Sequence, residues 1–322
     1  MIRHAEHVMG TVVSFALRPG DLDERAARAA LHESCATLHE ADEELSTWKP
    51  ESPLSRLRRG ALELADASPA VSEVLRRSAL ARELSGGWFD PWRMPGGVDP
   101  TGLAKGWIAM QAVERLRSAG IRAAMVNAGG DVVAFGEPGP GRPWRIGIQD
   151  PRSAGQLVCV VELDGAVATS GAYERGEHVL DPESGLPARG VRSATVTGPE
   201  LDLADALSTG LFAAGEGGLE WIDSIPAYEA MVVRNNGTLV ATVGFKSDRR
   251  GFTRATSGAR RCRQRRFPSR GASAEPPQAD PDGPGVFEMA SREPDQPGVR
   301  QCSCEAAALF ERHDVVRGTV QK

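Results

Sequence analysis

Apolar positions follow helical spacing in some stretches of the chain and strand spacing in others. Residues 23–45 carry apolar side chains along one stripe, which predicts an amphipathic helix. A second helix is predicted to begin at residues 68–69, a serine cap followed by proline, and to end at the glycine pair 86–87. Helical spacing returns after Gly106, and Gly120 stands where a left-handed C-terminal cap is expected.

Short apolar and β-branched runs predict strands, several of them in the second half of the chain. Residues 164–165 (Asp-Gly) and 236–237 (Asn-Gly) predict hairpin turns between neighbouring runs. Strands and helices mix without regular βαβ alternation, which favours an α+β fold with mixed antiparallel strands over a doubly wound sheet. The predicted strands are 11–17, 123–126, 144–148, 157–163, 166–170, 193–197, 228–233 and 238–243, with further helices at 202–214 and 219–222.

Composition changes abruptly near Lys246. Arginines crowd residues 249–270 without a hydrophobic period, and Ser, Pro, Gly, Asp and Gln dominate after them. Such a segment buries too little apolar area to offset its ordering entropy. We therefore predict a folded domain at 1–245 and a mostly disordered tail at 246–322, with one short helix near 305–312. The arginines could bind nucleic acid or an acidic lipid surface, but a solvated tail is the favoured interpretation.

Charge and cysteine content exclude several classes of protein. The net charge of −5 gives no general bias toward nucleic acid. The five cysteines are scattered, so they indicate neither a disulfide framework nor a zinc motif. The N-terminal residues lack the apolar segment of an export signal, and no run of about 18 apolar residues occurs, so a cytoplasmic protein without a transmembrane segment is expected.

Residues 98–133 contain a possible phosphate-binding element. An acidic loop with Asp99 and Gly102 runs into Lys105, and a helix, a strand and the glycine turn 127–131 follow. Backbone N–H groups and an ammonium group could together hold a phosphate there. The alternative is a solvated lysine at a helix start and an ordinary tight turn.

The clearest candidate for a metal site lies on the predicted helix at 202–214. Asp205, Ser208 and Thr209 share one helical face, since they stand at positions i, i+3 and i+4. Carboxylate and hydroxyl oxygens suit a hard cation such as Mg²⁺. The alternative is a surface helix whose N-terminal acid is favoured by the helix dipole.

Two further residues could contribute chemistry. His178 precedes an Asp-Pro turn at 181–182 and could be a general base or a phosphate contact. Trp48 lies on a helix-breaking loop and could stack on a nucleobase. A structural histidine in a turn and a half-buried loop tryptophan are the alternatives.

Taken in order, the local motifs form a known pattern. The match covers residues 7–245, and the chain resembles the ApbE family of FAD:protein FMN transferases in the motifs MGT, STWKPESPLSRL, GGWFDP, VDPTGLAKGW, VNAGGD, WRIGIQDP, ATSGAYE, HVLDPESG and ADALSTGLF. The resemblance implies a T-fold-like ApbE domain that binds FAD in a cleft, with Mg²⁺ on the pyrophosphate. It also implies transfer of FMN from FAD to a threonine or serine of an acceptor protein, with release of AMP.

The resemblance assigns roles to individual positions. It implies catalytic roles for Asp205 and for His178, which would lie near the reacting phosphate. The metal would be bound by Asp205, Thr209 and the main-chain carbonyl of Gly102, with Ser208 a weaker candidate. The implied FAD-binding residues are Met9 and Trp48 on the adenine side, and Trp88, Phe89, Asp90, Asp99 and Lys105.

The chain departs from the family pattern at two places. Only WRMPGG separates the FDP motif from the acidic loop, where relatives carry several tens of residues, and the loop reads DPTG instead of DLGG. Part of the flavin cover is then missing, and two alternative functions stay open. One is an FAD pyrophosphatase that gives FMN and AMP, and the other is a flavin-binding protein without efficient chemistry.

Overall fold

The computed structural model describes residues 1–172 and 179–248, and the backbone of two short strands beyond them. The helices are α1 (Glu24–Leu45), α2 (Pro53–Arg58), α3 (Pro69–Leu84), α4 (Thr101–Ser118), α5 (Leu201–Ala214) and α6 (Leu219–Asp223). The strands are β1 (Ile2–Val8), β2 (Thr11–Arg18), β3 (Ala123–Ala128), β4 (Asp131–Phe135), β5 (Trp144–Gln149), β6 (Leu157–Leu163), β7 (Gly165–Gly171), β8 (Ser193–Gly198), β9 (Glu229–Val233), β10 (Leu239–Ala241), β11 (Thr253–Arg254) and β12 (Val316–Arg317).

A nine-stranded sheet organises the fold, in the order β1-β2-β3-β4-β7-β8-β9-β10-β11. Its pairs are antiparallel except for the parallel pair β10–β11. Every residue of β3 and β4 is buried. Ala124 and Val133 belong to the main core cluster, while the intervening Met125 and Val132 are buried as well, so both faces of the central sheet are covered.

The helices α1, α4 and α5 form a layer on one face of this sheet. Helix α4 packs against α1, α5 and β3, and α5 packs against β7 and β8. Helix α1 has the predicted buried stripe, and Asp23 caps it by accepting a hydrogen bond from the Ala26 N–H at 2.7 Å. Ser68 caps α3 in the same way through the Val71 N–H, as expected.

Helices α4 and α5 approach so closely that only glycine fits between them at one point. A Cβ atom on Gly106 would lie 2.7 Å from the Leu201 carbonyl oxygen and 2.8 Å from the Asp202 Cα. Helix α4 also begins at Thr101, earlier than predicted, because the Asp99 side chain accepts a hydrogen bond from the Thr101 N–H at 3.1 Å. The first turns of α4 therefore lie beside α5.

The prediction of a hairpin at residues 164–165 is wrong. Strand β6 pairs with β5 in a separate three-stranded sheet, whereas β7 pairs with β4 and β8 in the large sheet. A two-residue type I′ turn needs positive φ at both central residues, but only Gly165 of this pair adopts it, at +128°. Local turn chemistry was overruled by burial of β7 in the central sheet, so the chain changes sheets at this point.

Two elements of the domain, β1 and α2, have no clear hydrophobic pattern in the sequence. Most residues of the predicted tail lie outside the described ranges. Strand β1 is largely exposed and polar, and α2 has only six residues, so neither shows a clear apolar period. In the predicted tail the structure describes residues 246–248 and the strands β11 and β12. Strand β11 pairs with β10, and strand β12 pairs with β5. The predicted helix near 305–312 lies outside the described residues. In the described ranges no helix has both the length and the apolar character needed to cross a membrane.

Candidate active site

The polar face of α5 is buried, and it meets hydroxyl groups from β7. Asp205 is 5% exposed, Ser208 is fully buried and Thr209 is half-buried. The Ser170 Oγ of β7 lies 2.8 Å from the Ser208 Oγ and 3.3 Å from the Thr209 Oγ1. The Ser208 hydroxyl also lies 2.9 Å from the Asp205 carbonyl oxygen, to which it can donate. The predicted shared face of Asp205, Ser208 and Thr209 is thus observed.

Lys105 connects α4 to this cluster through two buried carboxylates. Its ammonium forms an ion pair with Asp131 and lies 3.2 Å from the Asp205 Oδ2. Asp131 is 5% exposed, and its Oδ1 accepts a hydrogen bond from the Thr169 N–H at 3.0 Å. Two carboxylates against one ammonium leave a formal charge of −1 in a place shielded from water, which favours binding of a further cation.

The main chain of Gly102 lies directly against the hydroxyl of Thr209. A Cβ atom on Gly102 would be 3.3 Å from the Thr209 Oγ1 and 3.3 Å from the Phe89 Cε2. The absence of a side chain therefore lets the first turn of α4 approach α5. The carboxylate of Asp205 and the hydroxyl of Thr209 offer oxygens of the kind that Mg²⁺ prefers, so these residues fit that ion.

Asp90 and Asp99 are engaged in holding the loop before α4. Asp90 is 7% exposed and accepts hydrogen bonds from the Arg82 Nε at 2.8 Å and the Trp92 N–H at 3.1 Å. Asp99 is half-buried and accepts from the Arg58 Nη1 at 2.8 Å. Both carboxylates therefore fix the loop conformation in this structure.

The aromatic residues predicted for the flavin differ in their exposure. Phe89 is buried, and its N–H donates to the Ser85 Oγ at 3.0 Å. Trp88 is half-buried, whereas Trp48 is 92% exposed. Met9 adopts a positive φ of +56° in the turn between β1 and β2. In the described part of the chain, neither Met9 nor Trp48 belongs to the hydrogen-bonded cluster around Lys105.

His178 lies outside the described residues, but the Asp-Pro turn that follows it is described. Asp181 closes the turn by accepting from the Glu183 N–H at 2.8 Å. The Arg93 Nη1 donates to the Pro182 carbonyl oxygen at 2.9 Å. This contact joins the turn to the segment that follows Phe89.

Sequence reasoning missed three residues that complete this site: Arg58, Asp131 and Ser170. Asp131 had a usable signal, because it closes the glycine turn at 127–131 and begins a strand that is buried throughout. Ser170 stands in a strand pattern with no special spacing. Its proximity to α5 depends on the packing of β7 under that helix, which local sequence does not specify.

Comparison with known proteins agrees with this architecture. The model of the ApbE family matches residues 9–96 and 92–232. An FAD:protein FMN transferase of Rhodobacter capsulatus is 37% identical over 155 residues, which are 45% of this chain and 29% of that protein. One of Haemophilus influenzae is 36% identical over 131 residues, 37% of this chain and 38% of that protein. The aligned parts thus span well under half the length of these relatives.

A solved structure supports the fold. The flavin transferase ApbE from Vibrio cholerae superposes with a TM-score of 0.65 and 23% identity, over 76% of this chain and 97% of that one. The expected α+β architecture of mixed antiparallel strands and helices is confirmed by this likeness.

Proposed function

Because the chain belongs to the ApbE family, we propose that it transfers FMN from FAD to a threonine or serine hydroxyl of an acceptor protein and releases AMP. The relatives named above carry the corresponding activity in their names. The observation that carries the proposal is the convergence of Lys105, Asp131, Asp205 and Thr209 in one shielded cluster. Such a cluster can accept a divalent cation together with the pyrophosphate of FAD.

The proposed reaction is a phosphoryl transfer. The acceptor hydroxyl oxygen forms a bond to the FMN-side phosphorus, and the bond from that phosphorus to the bridging oxygen breaks, so AMP leaves with this oxygen. The hydroxyl proton passes to a base. The flavin ring takes no part, and the work of the protein is positioning and electrostatic stabilisation.

Asp205, Thr209 and the main-chain carbonyl of Gly102 would hold Mg²⁺. When bound, the ion neutralises charge and polarises the phosphoryl oxygens. Ser170 supports this arrangement by keeping the Thr209 hydroxyl within 3.3 Å of its own Oγ. Phe89 packs its ring against Gly102 and limits access of water from that side.

Lys105 is the cation that this chain itself provides for the pyrophosphate. Without substrate it pairs with Asp131 and Asp205, which keep the ammonium in place. A bound phosphate oxygen would accept a hydrogen bond from it while Asp131 holds its other side. Three side chains are candidates for accepting the hydroxyl proton: His178 and the carboxylates of Asp131 and Asp205.

The remaining predicted contacts would hold the rest of FAD. Met9 and Trp48 are proposed for the adenine side, where an exposed indole offers a stacking face. Trp88 and Phe89 would line the FAD cleft. Asp90 and Asp99 would act through the loop that their hydrogen bonds hold.

Intact-mass measurement tests the proposed function. The full chain is incubated with FAD, Mg²⁺ and a peptide carrying Asp-x-x-Thr-Gly-Ala-Thr. We expect the peptide to gain the mass of one FMN group, and Asp205→Ala to lose this gain while the exposed control Asp223→Ala keeps it.

Other products would contradict the transferase. Free FMN and AMP with no mass gain on the peptide would indicate a pyrophosphatase. FAD that stays bound without any turnover would indicate a flavin-binding protein.

A further inference from the structure

A second cluster of metal-ligating side chains lies on α1 and β1, apart from the residues of the proposed active site. His4 and Glu6 stand two residues apart on β1, so their side chains lie on the same face of the strand. Cys35 and His39 stand four residues apart on α1, so they share one face of that helix. Helix α1 packs against β1, which brings the two pairs together.

The ligand atoms of this cluster are already close to one another. Those of His4, Glu6 and Cys35 all lie within 4.8 Å of each other. The Glu6 carboxylate is 2.9 Å from the His4 Nε2 and 3.0 Å from the His39 Nε2. In a tetrahedral zinc site, neighbouring nitrogen, oxygen and sulfur ligands lie about 3.3–3.6 Å apart, given the usual metal–ligand bond lengths. Small side-chain rotations would therefore suffice to place His4, Glu6 and Cys35 around one ion, and His39, which contacts Glu6, would turn to supply the fourth ligand.

We propose that His4, Glu6, Cys35 and His39 bind one Zn²⁺ ion, which ties the edge strand β1 to helix α1. Imidazole, thiolate and carboxylate are the ligands that Zn²⁺ takes in structural sites. One thiolate, one carboxylate and two neutral imidazoles balance the charge of the ion. The hard Mg²⁺ ion would not compete well for a thiolate.

The environment of each ligand suits reversible metal binding. The side chains of His4 and His39 are 38% and 53% exposed, so an ion can reach them from solvent. Cys35 is buried behind them and is a free cysteine. Zn²⁺ takes a cysteine ligand as the thiolate, so the thiol proton would pass to solvent as the sulfur–zinc bond forms.

The ring of His4 is positioned by a neighbour on the next strand. His4 is paired with Phe15 in the β1–β2 register, and the two ring centroids are 6.2 Å apart. The site is separate from the flavin-binding segment, because the strand from His4 to Met9 spans about 17 Å at the usual rise per residue. Loss of the proposed zinc ion should therefore leave FMN transfer intact.

No zinc motif stands out in the sequence, because the ligands form two mixed pairs that lie far apart along the chain. Cys35 and His39 follow helical spacing, and His4 and Glu6 follow strand spacing. Only the packing of α1 on β1 joins them.

Zinc content per chain tests the proposal directly. The full protein is freed of metal with a chelator, loaded with Zn²⁺ in excess Mg²⁺ so that the hard-cation site is filled, and passed through gel filtration. We expect His39→Ala and Cys35→Ser to retain one Zn²⁺ fewer per chain than wild type. The control His7→Ala, on the opposite face of β1, should bind as wild type does.

Cobalt provides a second readout that reports the sulfur ligand. Wild type loaded with Co²⁺ should show a thiolate-to-metal charge-transfer band that Cys35→Ser lowers by one equivalent. His39 is exposed, so His39→Ala should fold normally and transfer FMN at the wild-type rate. Equal zinc content in wild type, His39→Ala and Cys35→Ser, or a cobalt band unchanged by Cys35→Ser, would overturn the proposal.

Discussion

Helix α5 carries two buried aspartates one turn apart, and their surroundings differ. Asp202 is 2% exposed, and its two oxygens accept from the Nε and Nη2 of Arg77, the latter at 2.7 Å. Asp205 is 5% exposed and faces the ammonium of Lys105, which it shares with Asp131. The first carboxylate accepts two hydrogen bonds from Arg77, whose other acidic partner, Glu200, is 41% exposed to water. The second shares one ammonium with a carboxylate that is itself buried.

This difference separates a structural charge from the one proposed to act in the reaction. A planar guanidinium donates two hydrogen bonds to a carboxylate in a fixed geometry, so both carboxylate oxygens are already occupied and do not need a ligand. A lysine ammonium is a mobile point charge, and hydroxyl groups around it can turn toward a ligand. Burial alone therefore does not distinguish these two aspartates, whereas their charged partners do.

Replacing Asp205 should produce the largest functional effect. Asp205→Ala removes a proposed metal ligand, so we expect the rate of FMN transfer to fall about 10³-fold, equivalent to about 4 kcal/mol. The free energy of unfolding should change little, because Lys105 keeps its pair with Asp131. Steady-state transfer rates and urea unfolding, measured on the same preparation, check both parts. A variant that unfolds easily but transfers FMN normally would contradict the comparison.

Replacing Arg77 should have the opposite effect, a loss of stability without a loss of FMN transfer rate. Arg77→Met leaves the buried Asp202 carboxylate without its guanidinium, so we expect the free energy of unfolding to fall by about 3 kcal/mol. FMN transfer per folded molecule should stay near the wild-type value. The matched control is Arg76→Met, whose side chain is 62% exposed and pairs with Glu73 on the surface. Equal stability of the two variants in urea would show that Asp202 does not need Arg77.

Crowding the contact between Gly102 and Thr209 should have a smaller effect on the rate of FMN transfer. Gly102→Ala would press a methyl group against Thr209 and Phe89, so we expect transfer to slow about 10-fold, equivalent to about 1.4 kcal/mol. Gly217→Ala is the control, because a Cβ atom there meets nothing within 4 Å. Transfer rates measured at saturating FAD and Mg²⁺ compare the two. Equal rates would mean that Gly102 need not approach Thr209 during transfer.

The smallest expected effect concerns a surface pair near the end of α5. Hydrogen bonds from Arg234, at 2.6 Å each, lower the pKa of the Glu216 carboxyl below its usual 4.5. A carboxyl group whose pKa is lower in the folded state than in the unfolded state stabilises the fold at pH values above the unfolded-state pKa. This contribution is lost as the pH falls through the lower pKa of the folded state.

Urea unfolding of Glu216→Gln across pH checks this pair. The variant should be slightly less stable than wild type at neutral pH and approach it in acid. The control Glu220→Gln, an exposed residue of α6, should follow wild type throughout. A difference that grows in acid would contradict the assignment.

Periodicity predicted the elements that local sequence determines. Helical spacing placed Asp205, Ser208 and Thr209 on one face, and the Ser68 cap located the start of α3. The metal-site interpretation of that face came from the family resemblance, since spacing alone left a surface helix open. These features depend on residues within a few positions of each other.

Features that depend on distant pairing were not predicted. Asp131 and Ser170 reach the site because β4 and β7 are neighbours in the sheet and α5 packs on β7. The passage of the chain from the small sheet to the large sheet at residues 164–165 also depends on distant strand pairing. Strand β1 shows no apolar alternation because it lies at the sheet edge, and its partner β2 supplies the pairing along its length.

The Mg²⁺ dependence of FMN transfer is the most direct test of whether Asp205 holds the metal ion. Initial rates are measured over a wide range of Mg²⁺ for wild type and for Asp205→Asn, which keeps the size of the side chain and removes its charge. We expect the wild-type rate to saturate with Mg²⁺, and the variant to need a much higher Mg²⁺ concentration and to reach a much lower rate. If transfer by both proteins depends on Mg²⁺ in the same way, Asp205 does not hold the ion, and the proposed site is wrong.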